Sequence, residues 1–144
     1  GELVTASMMN GHLRDQLNAL NAALGGVSHL LGGDYQAAIT DIAFVPLPAH
    51  AIVEIDATDL VTGSITAEVH AMAKVTAGTG TIRLFNITTL LAVGSELAFT
   101  NTAFAFKKIT GLSLTTGLNQ YRAEVKGATA TDYPIVHGAR LVVP

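Results

Sequence analysis

Leucines recur near the start of the chain at Leu13, Leu17, Leu20 and Leu24, and Val27 continues the series. The spacings of four, three, four and three are the a/d rhythm of a heptad repeat. Thr5 and Ser7 stand ahead of the stripe as N-caps, since a hydroxyl there can accept a bond from a free backbone N–H. Gly25 and Gly26 close it, because glycine readily takes the left-handed conformation at a helix end. The pattern predicts one amphipathic helix over "TASMMNGHLRDQLNALNAALGG", residues 5–26. Asn10 falls on an a position one heptad before Leu17, where a polar side chain can set the register of a coiled coil. A helix this short is marginal in water by itself, and Gly11 inside it costs about 1 kcal/mol relative to alanine. The stripe must therefore pack on something, either the chain's own β domain or other copies of the chain.

Residues 28–40, "SHLLGGDYQAAIT", read as a linker broken at Gly32–Gly33. From Asp41 the period changes to two. "DIAFVPLP" alternates, and Pro46 and Pro48 make it an edge strand or a strand end, because proline cannot donate to a ladder. "AIVEIDAT" follows, and then the clearest strand, "SITAEVHAMAKVTAG". There Ile65, Ala67, Val69, Ala71, Ala73 and Val75 face one way, and Thr66, Glu68, His70, Met72, Lys74 and Thr76 the other. The small residues on the inward side predict a thin core at that point. "AGTGT" at 77–81 lacks a following helix, so it reads as a hairpin turn rather than a phosphate loop. "GTIRLFNITT", "ELAFTN", "FAFKKITGLSL", "QYRAEVKGA" and "IVHGARLVV" complete a set of about eight strands. The expected fold is mainly β: an antiparallel, jelly-roll-like β-sandwich preceded by one amphipathic α-helix. The expected organisation is an arm and helix over residues 1–27, a linker over 28–40 and the sandwich over 41–144.

Composition sharpens this reading. Of 144 residues, 49% are hydrophobic and only 13% charged, more apolar than one free-standing surface needs, which points to an oligomer. A net charge of −3 without a basic run speaks against nucleic-acid binding through phosphates. No cysteine is present, so disulfides and thiolate metal sites are excluded. No apolar run reaches the roughly 20 residues that span a bilayer, and no secretory signal is visible. The chain opens on Gly1 rather than methionine, so the true start is expected upstream or trimmed.

A search for chemistry finds little. His12, His29, His50, His70 and His137 form neither an HxH nor an HExxH pattern. Carboxylates cluster only as Glu54, Asp56 and Asp59, which read as a solvated strand edge and turn. A glycosidase pair flanking a sugar cleft is disfavoured, with no tryptophan to floor the cleft. The serines lack a nucleophile elbow. Lys107–Lys108 reads as a guard against edge pairing. No catalytic residue, metal ligand or cofactor is expected, and a structural or binding protein is preferred over an enzyme.

"GELVTASMMNGHLRDQLNAL", residues 1–20, resembles the N-terminal segment of many small virion proteins of tailed bacteriophages. Gly1, Glu2, Val4, Thr5, Ala6, Asn10, Arg14, Asp15, Leu17, Asn18 and Leu20 carry the resemblance, without the aromatic-rich lead that often precedes it. "YRAEVKGATATDYPIVHGARLVV", residues 121–143, is similar to the closing strands of phage fibre and decoration sandwiches. The resemblance implies a virion structural role on the particle surface, as a tail-fibre or baseplate component, a head fibre or a capsid decoration protein. It also implies a homotrimer. Asn10, Leu13, Leu17, Leu20, Leu24 and Val27 are then the expected contacts between copies or with other virion proteins. Each fully buried leucine would contribute roughly 1.5–3 kcal/mol. The competing expectation is a carbohydrate-binding module meeting a host-surface glycan. It has only Tyr35, Tyr121, Tyr133 and five phenylalanines for sugar faces, and the phenylalanines read as buried.

Overall fold

In a computed structural model of the chain, residues 10–13, 15–16, 27–33, 38–57 and 66–143 are described. Nine strands follow in order: β1 (Val27–Gly32), β2 (Val45–Pro46), β3 (Val53–Asp56), β4 (Thr66–Lys74), β5 (Gly80–Asn86), β6 (Leu91–Phe99), β7 (Ala105–Ser113), β8 (Leu118–Gly127) and β9 (Ile135–Val143). They form two antiparallel sheets. Sheet A runs β1-β9-β4-β7, and sheet B runs β2-β8-β5-β6 with β3 also paired to β8. β2 and β3 lie end to end along one side of β8, Val45 opposite Val125 and Val53 opposite Tyr121, as one strand interrupted by a loop. The two sheets thus have four strand positions each, which is the jelly-roll arrangement.

The interruption has a local cause. Pro46 and Pro48 cannot donate to the ladder, and after Leu47, whose N–H still reaches Ala123 O of β8, residues 48–52 leave sheet B to meet the edge of sheet A. Ala51 N–H donates to Leu31 O at 3.0 Å, and Gly33 N–H donates to Pro48 O at 3.2 Å. Gly32 permits the approach. Its φ is +118°, and a Cβ there would lie 2.6 Å from His50 Cα and 2.7 Å from Ala49 O.

β4 behaves as its alternation predicts. Ala67, Val69, Ala71 and Ala73 are buried, and Val75 just beyond the strand is buried with them. Opposite them, β5 and β8 contribute Ile82, Leu84, Tyr121, Ala123 and Val125. The alanines set close-packed inner sheet faces, and the large side chains of sheet B fill the space between. Tyr121 is the largest wholly buried side chain among the described residues, and its hydroxyl accepts a bond from Thr115 N–H at 3.1 Å.

Two expectations change. Val27 is not part of a helical stripe: it opens β1, paired with Val143, so the segment expected as a linker carries a sandwich strand. "VSHLLG" has apolar residues that suit either period, and the free edge of β9 decides for the strand. Second, residues 77–81 do not close a hairpin. They carry the chain from β4 in sheet A to β5 in sheet B, with Val75 N–H donating to Asn101 O and Thr76 N–H to Asp132 O. Of the predicted helix, residues 10–13 and 15–16 are helical, while Leu17, Leu20 and Leu24 lie outside the described residues.

Candidate functional site

The outer faces of the two sheets differ in chemistry, and strand register decides what each displays. On sheet B, the inward parity of Ile82 and Leu84 turns Arg83 and Phe85 outward, and that of Ala123 and Val125 turns Arg122, Glu124 and Lys126 outward. Register pairs Arg83 with Glu124 and Phe85 with Arg122. Glu124 is only 2% exposed although it points away from the core. Arg83 Nε and Nη2 donate to its Oε2 at 2.9 and 2.7 Å, and Arg122 Nε and Nη2 donate to its Oε1 at 2.9 and 2.6 Å. The cations cover the rings beside them. The Arg83 guanidinium carbon is 3.9 Å from the Phe44 ring centre and 5.1 Å from that of Phe85. Lys126 Nζ is 4.5 Å from the Phe44 centre, and Arg122 is 5.3 Å from that of Phe85. This face is a closed cation–π stack whose charges satisfy one another, so its rings are not free for a ligand.

Sheet A presents an open ring. Ile109 points inward, so the alternation of β7 turns Phe106 and Lys108 to the outer face, where Phe106 is 59% exposed. Met72 lies opposite Phe106 on one side and His137 on the other; His70 lies between Lys108 and Arg140. The His70 ring meets Phe106 edge-on, with centres 5.3 Å apart and planes at 79°. Glu68 ties the cluster together. Its Oε2 is 2.7 Å from His70 Nε2 and its Oε1 is 2.9 Å from Lys108 Nζ. A carboxylate only accepts, so His70 Nε2 carries the hydrogen of that bond. The Lys108 hydrogen bond, and then that from His70, holds the Glu68 carboxyl below its ordinary range. Further along the face, Lys74 Nζ lies 4.8 Å from the Phe104 ring centre.

The face therefore offers an exposed aromatic surface beside a carboxylate, an ammonium and an imidazole held in fixed positions. That combination suits a ligand with an apolar C–H face and a rim of hydroxyls. A cavity of ≈ 230 Å³ elsewhere, lined by Asn86, Thr89, Leu91, Val93, Ser113 and Thr115 among others, lacks charged and aromatic side chains. It is also smaller than the about 300–1,000 Å³ of ordinary ligand pockets. Among the described residues, no three His, Cys, Asp or Glu side chains come together to hold a metal ion.

No family model matches the sequence, and no curated protein matches it. Solved structures do. The fold is similar to that of a carbohydrate-binding module CBM36 in complex with calcium and xylotriose, with a TM-score of 0.50 and 12% identity over 82% of this chain and 99% of that one. It is also similar to the CBM36-1 domain of a multidomain xylanase from the hindgut metagenome of Trinervitermes trinervoides, with a TM-score of 0.48 and 13% identity over 82% and 95% of the two chains. A third likeness is to CBM6cm-2 from Cellvibrio mixtus lichenase 5A in complex with cellotriose, with a TM-score of 0.47 and 11% identity over 81% and 95%. At 12% identity, what the first of these shares with the chain is the β-sandwich fold.

Of the residues expected from sequence to form an assembly surface, Asn10 and Leu13 are helical and solvent-facing, Leu13 at 53% exposure. His12 is exposed and bonds Gln16 at 3.2 Å. Glu54 and Asp56 share the outer side of β3, and Glu54 accepts a bond from Gln120 Nε2 at 3.2 Å. Lys107–Lys108 lies on β7, an edge strand of sheet A, as expected. The phenylalanines do not all lie in the core. Phe99 is buried, Phe44, Phe85 and Phe104 are half-buried, and Phe106 is exposed. The parity of "FAFKKI" against Ile109 carries that information: Phe104, Phe106 and Lys108 share the side opposite Ile109.

Proposed function

We propose that this chain is a non-catalytic carbohydrate-binding β-sandwich that holds a saccharide on the outer face of sheet A. The exposed Phe106 ring carries the reading, because an open aromatic beside fixed polar groups is what a pyranose ring requires. The C–H face of the sugar stacks on Phe106, and its hydroxyls bond to Glu68, Lys108 and His70. The fold shared with a module solved in complex with xylotriose supports it. Phe106→Ala is expected to weaken glycan binding at least about tenfold, equivalent to about 1.4 kcal/mol, and to leave the melting temperature nearly unchanged because the ring is exposed. Glycan-array hits followed by isothermal titration calorimetry measure this; unaltered affinity in the variant would refute the site.

A second reading concerns where the module is carried. The resemblance of residues 1–20 to phage virion proteins, together with the exposure of Leu13, supports an N-terminal helix that assembles copies of the chain, as a homotrimer, on the surface of a tailed-phage particle. Host-surface glycan is then the ligand and other virion proteins are the neighbours. Leu17→Asp with Leu20→Asp is expected to yield monomers by multi-angle light scattering. An oligomer that survives both substitutions rules out the helix as the assembly element.

A further inference from the structure

The two outer faces carry opposite charge balances. On sheet B, Arg83, Arg122 and Lys126 face four carboxylates, Glu54, Asp56, Glu96 and Glu124. On sheet A, register places Lys74, Lys108 and Arg140 on the outer side with Glu68 as the one carboxylate among the described residues. A chain of net charge −3 thus concentrates a surplus of two positive charges on the face that bears the exposed ring. Arg140 is exposed and makes no ion pair among the described residues. Lys108 and Arg140 stand on either side of His70, two strand spacings or about 10 Å apart, a span that a disaccharide crosses.

We infer that this face selects an acidic glycan, a polysaccharide strand bearing uronate carboxylates. The inference rests on the carbohydrate reading of the same face and adds the ligand's charge. One carboxylate sits in the planar fork of Arg140, whose donors fit a carboxylate edge to edge. A neighbouring carboxylate competes with Glu68 for the Lys108 ammonium, and a pyranose C–H face rests on Phe106. The attraction acts at a solvent-facing surface, so salt weakens it.

The test uses the full chain and polymers matched in backbone. Polygalacturonate is compared with its fully methyl-esterified form, alginate with its neutral propylene-glycol ester, and single-stranded DNA serves as a polyanion without uronate. Affinity electrophoresis and calorimetry give the dissociation constants. The acidic polymers are expected to bind about tenfold more tightly than the neutral ones. That preference should shrink as salt is raised and fall in Arg140→Ala, whose folding is checked by thermal melting. Lys126→Ala, on the opposite face, should leave it unchanged. Equal affinity for polygalacturonate and its ester, or binding to the neutral polymers alone, overturns the acidic selectivity and leaves the carbohydrate site standing. Binding to DNA as tight as to uronate overturns it in favour of unselective polyanion attraction. Failure to bind any of these polymers overturns the acidic selectivity, while the carbohydrate reading is overturned only by a glycan array without hits.

Discussion

Replacing Glu124 with glutamine tests whether the closed face of sheet B is held by one buried carboxylate. The side chain is 3% exposed and accepts all four bonds from Arg83 and Arg122. Glutamine keeps the volume but offers one carbonyl oxygen where two carboxylate oxygens were filled, and turns an amide N–H₂ toward a guanidinium. One arginine then loses its acceptor and meets a donor. Breaking a fully buried ion pair costs about 3–5 kcal/mol. Here the arginines retain 20% and 28% exposure and can recover part of their hydration, and Arg83 keeps Glu96 at 3.7 Å. The expected loss is therefore about 2–3 kcal/mol. For a domain of this size that is a fall in melting temperature of about 7–10 °C. Urea unfolding followed by circular dichroism should show a lower midpoint at unchanged m-value. Arg83→Met, which leaves an apolar chain between Phe44 and Phe85, should cost less, and the double mutant should show positive coupling with Glu124→Gln. A loss below about 0.5 kcal/mol in Glu124→Gln would mean the network adds nothing beyond ordinary surface pairs, and the reasoning would fail.

Two other substitutions follow from single contacts. Gly32→Ala must place a Cβ against the backbone of Ala49 and His50 at a φ of +118°, and is expected to destabilise by about 2–5 kcal/mol, measured by the same urea titration. Asp132 is buried and accepts the Thr129 hydroxyl at 2.6 Å and the Thr129 N–H at 2.8 Å, bonds that hold its carboxyl below the ordinary 3.8. A carboxyl depressed by folding stabilises above its unfolded value, and that contribution disappears as the pH falls through the folded one. Melting temperature should thus drop on acidification from pH 3.8 downward, and less steeply in Asp132→Asn than in the parent chain; parallel curves would remove Asp132 from the acid response.

The elements were largely legible because each is a local pattern. The alternation of "TAEVHAMAK" alone assigns Ala67 and Val69 to the inside and Glu68 and His70 to the outside of β4, since successive side chains of a strand must point to opposite faces. The same rule, applied to "FAFKKI", turns Phe106 outward with Lys108; reading it by residue type as buried hid the candidate site. Local pattern also misleads at Val27, whose apolar neighbours suit a heptad and a strand alike.

Partner choice was not legible. Nothing near residues 77–81 tells that β4 and β5 enter different sheets, because a turn between two strands looks the same whether it closes a hairpin or bridges a sandwich. Nor does spacing along the chain bring Arg83 to Glu124, 41 residues on, or Glu68 to Lys108; antiparallel registers between distant strands do that. The sequence by itself determined which residues of each strand face water, a consequence of the two-residue repeat. Only the tertiary structure decided that one outer face closes over its own charges while the other keeps the Phe106 ring and the Arg140 guanidinium open. That difference depends on which strands lie side by side, and long-range pairing is what sets it.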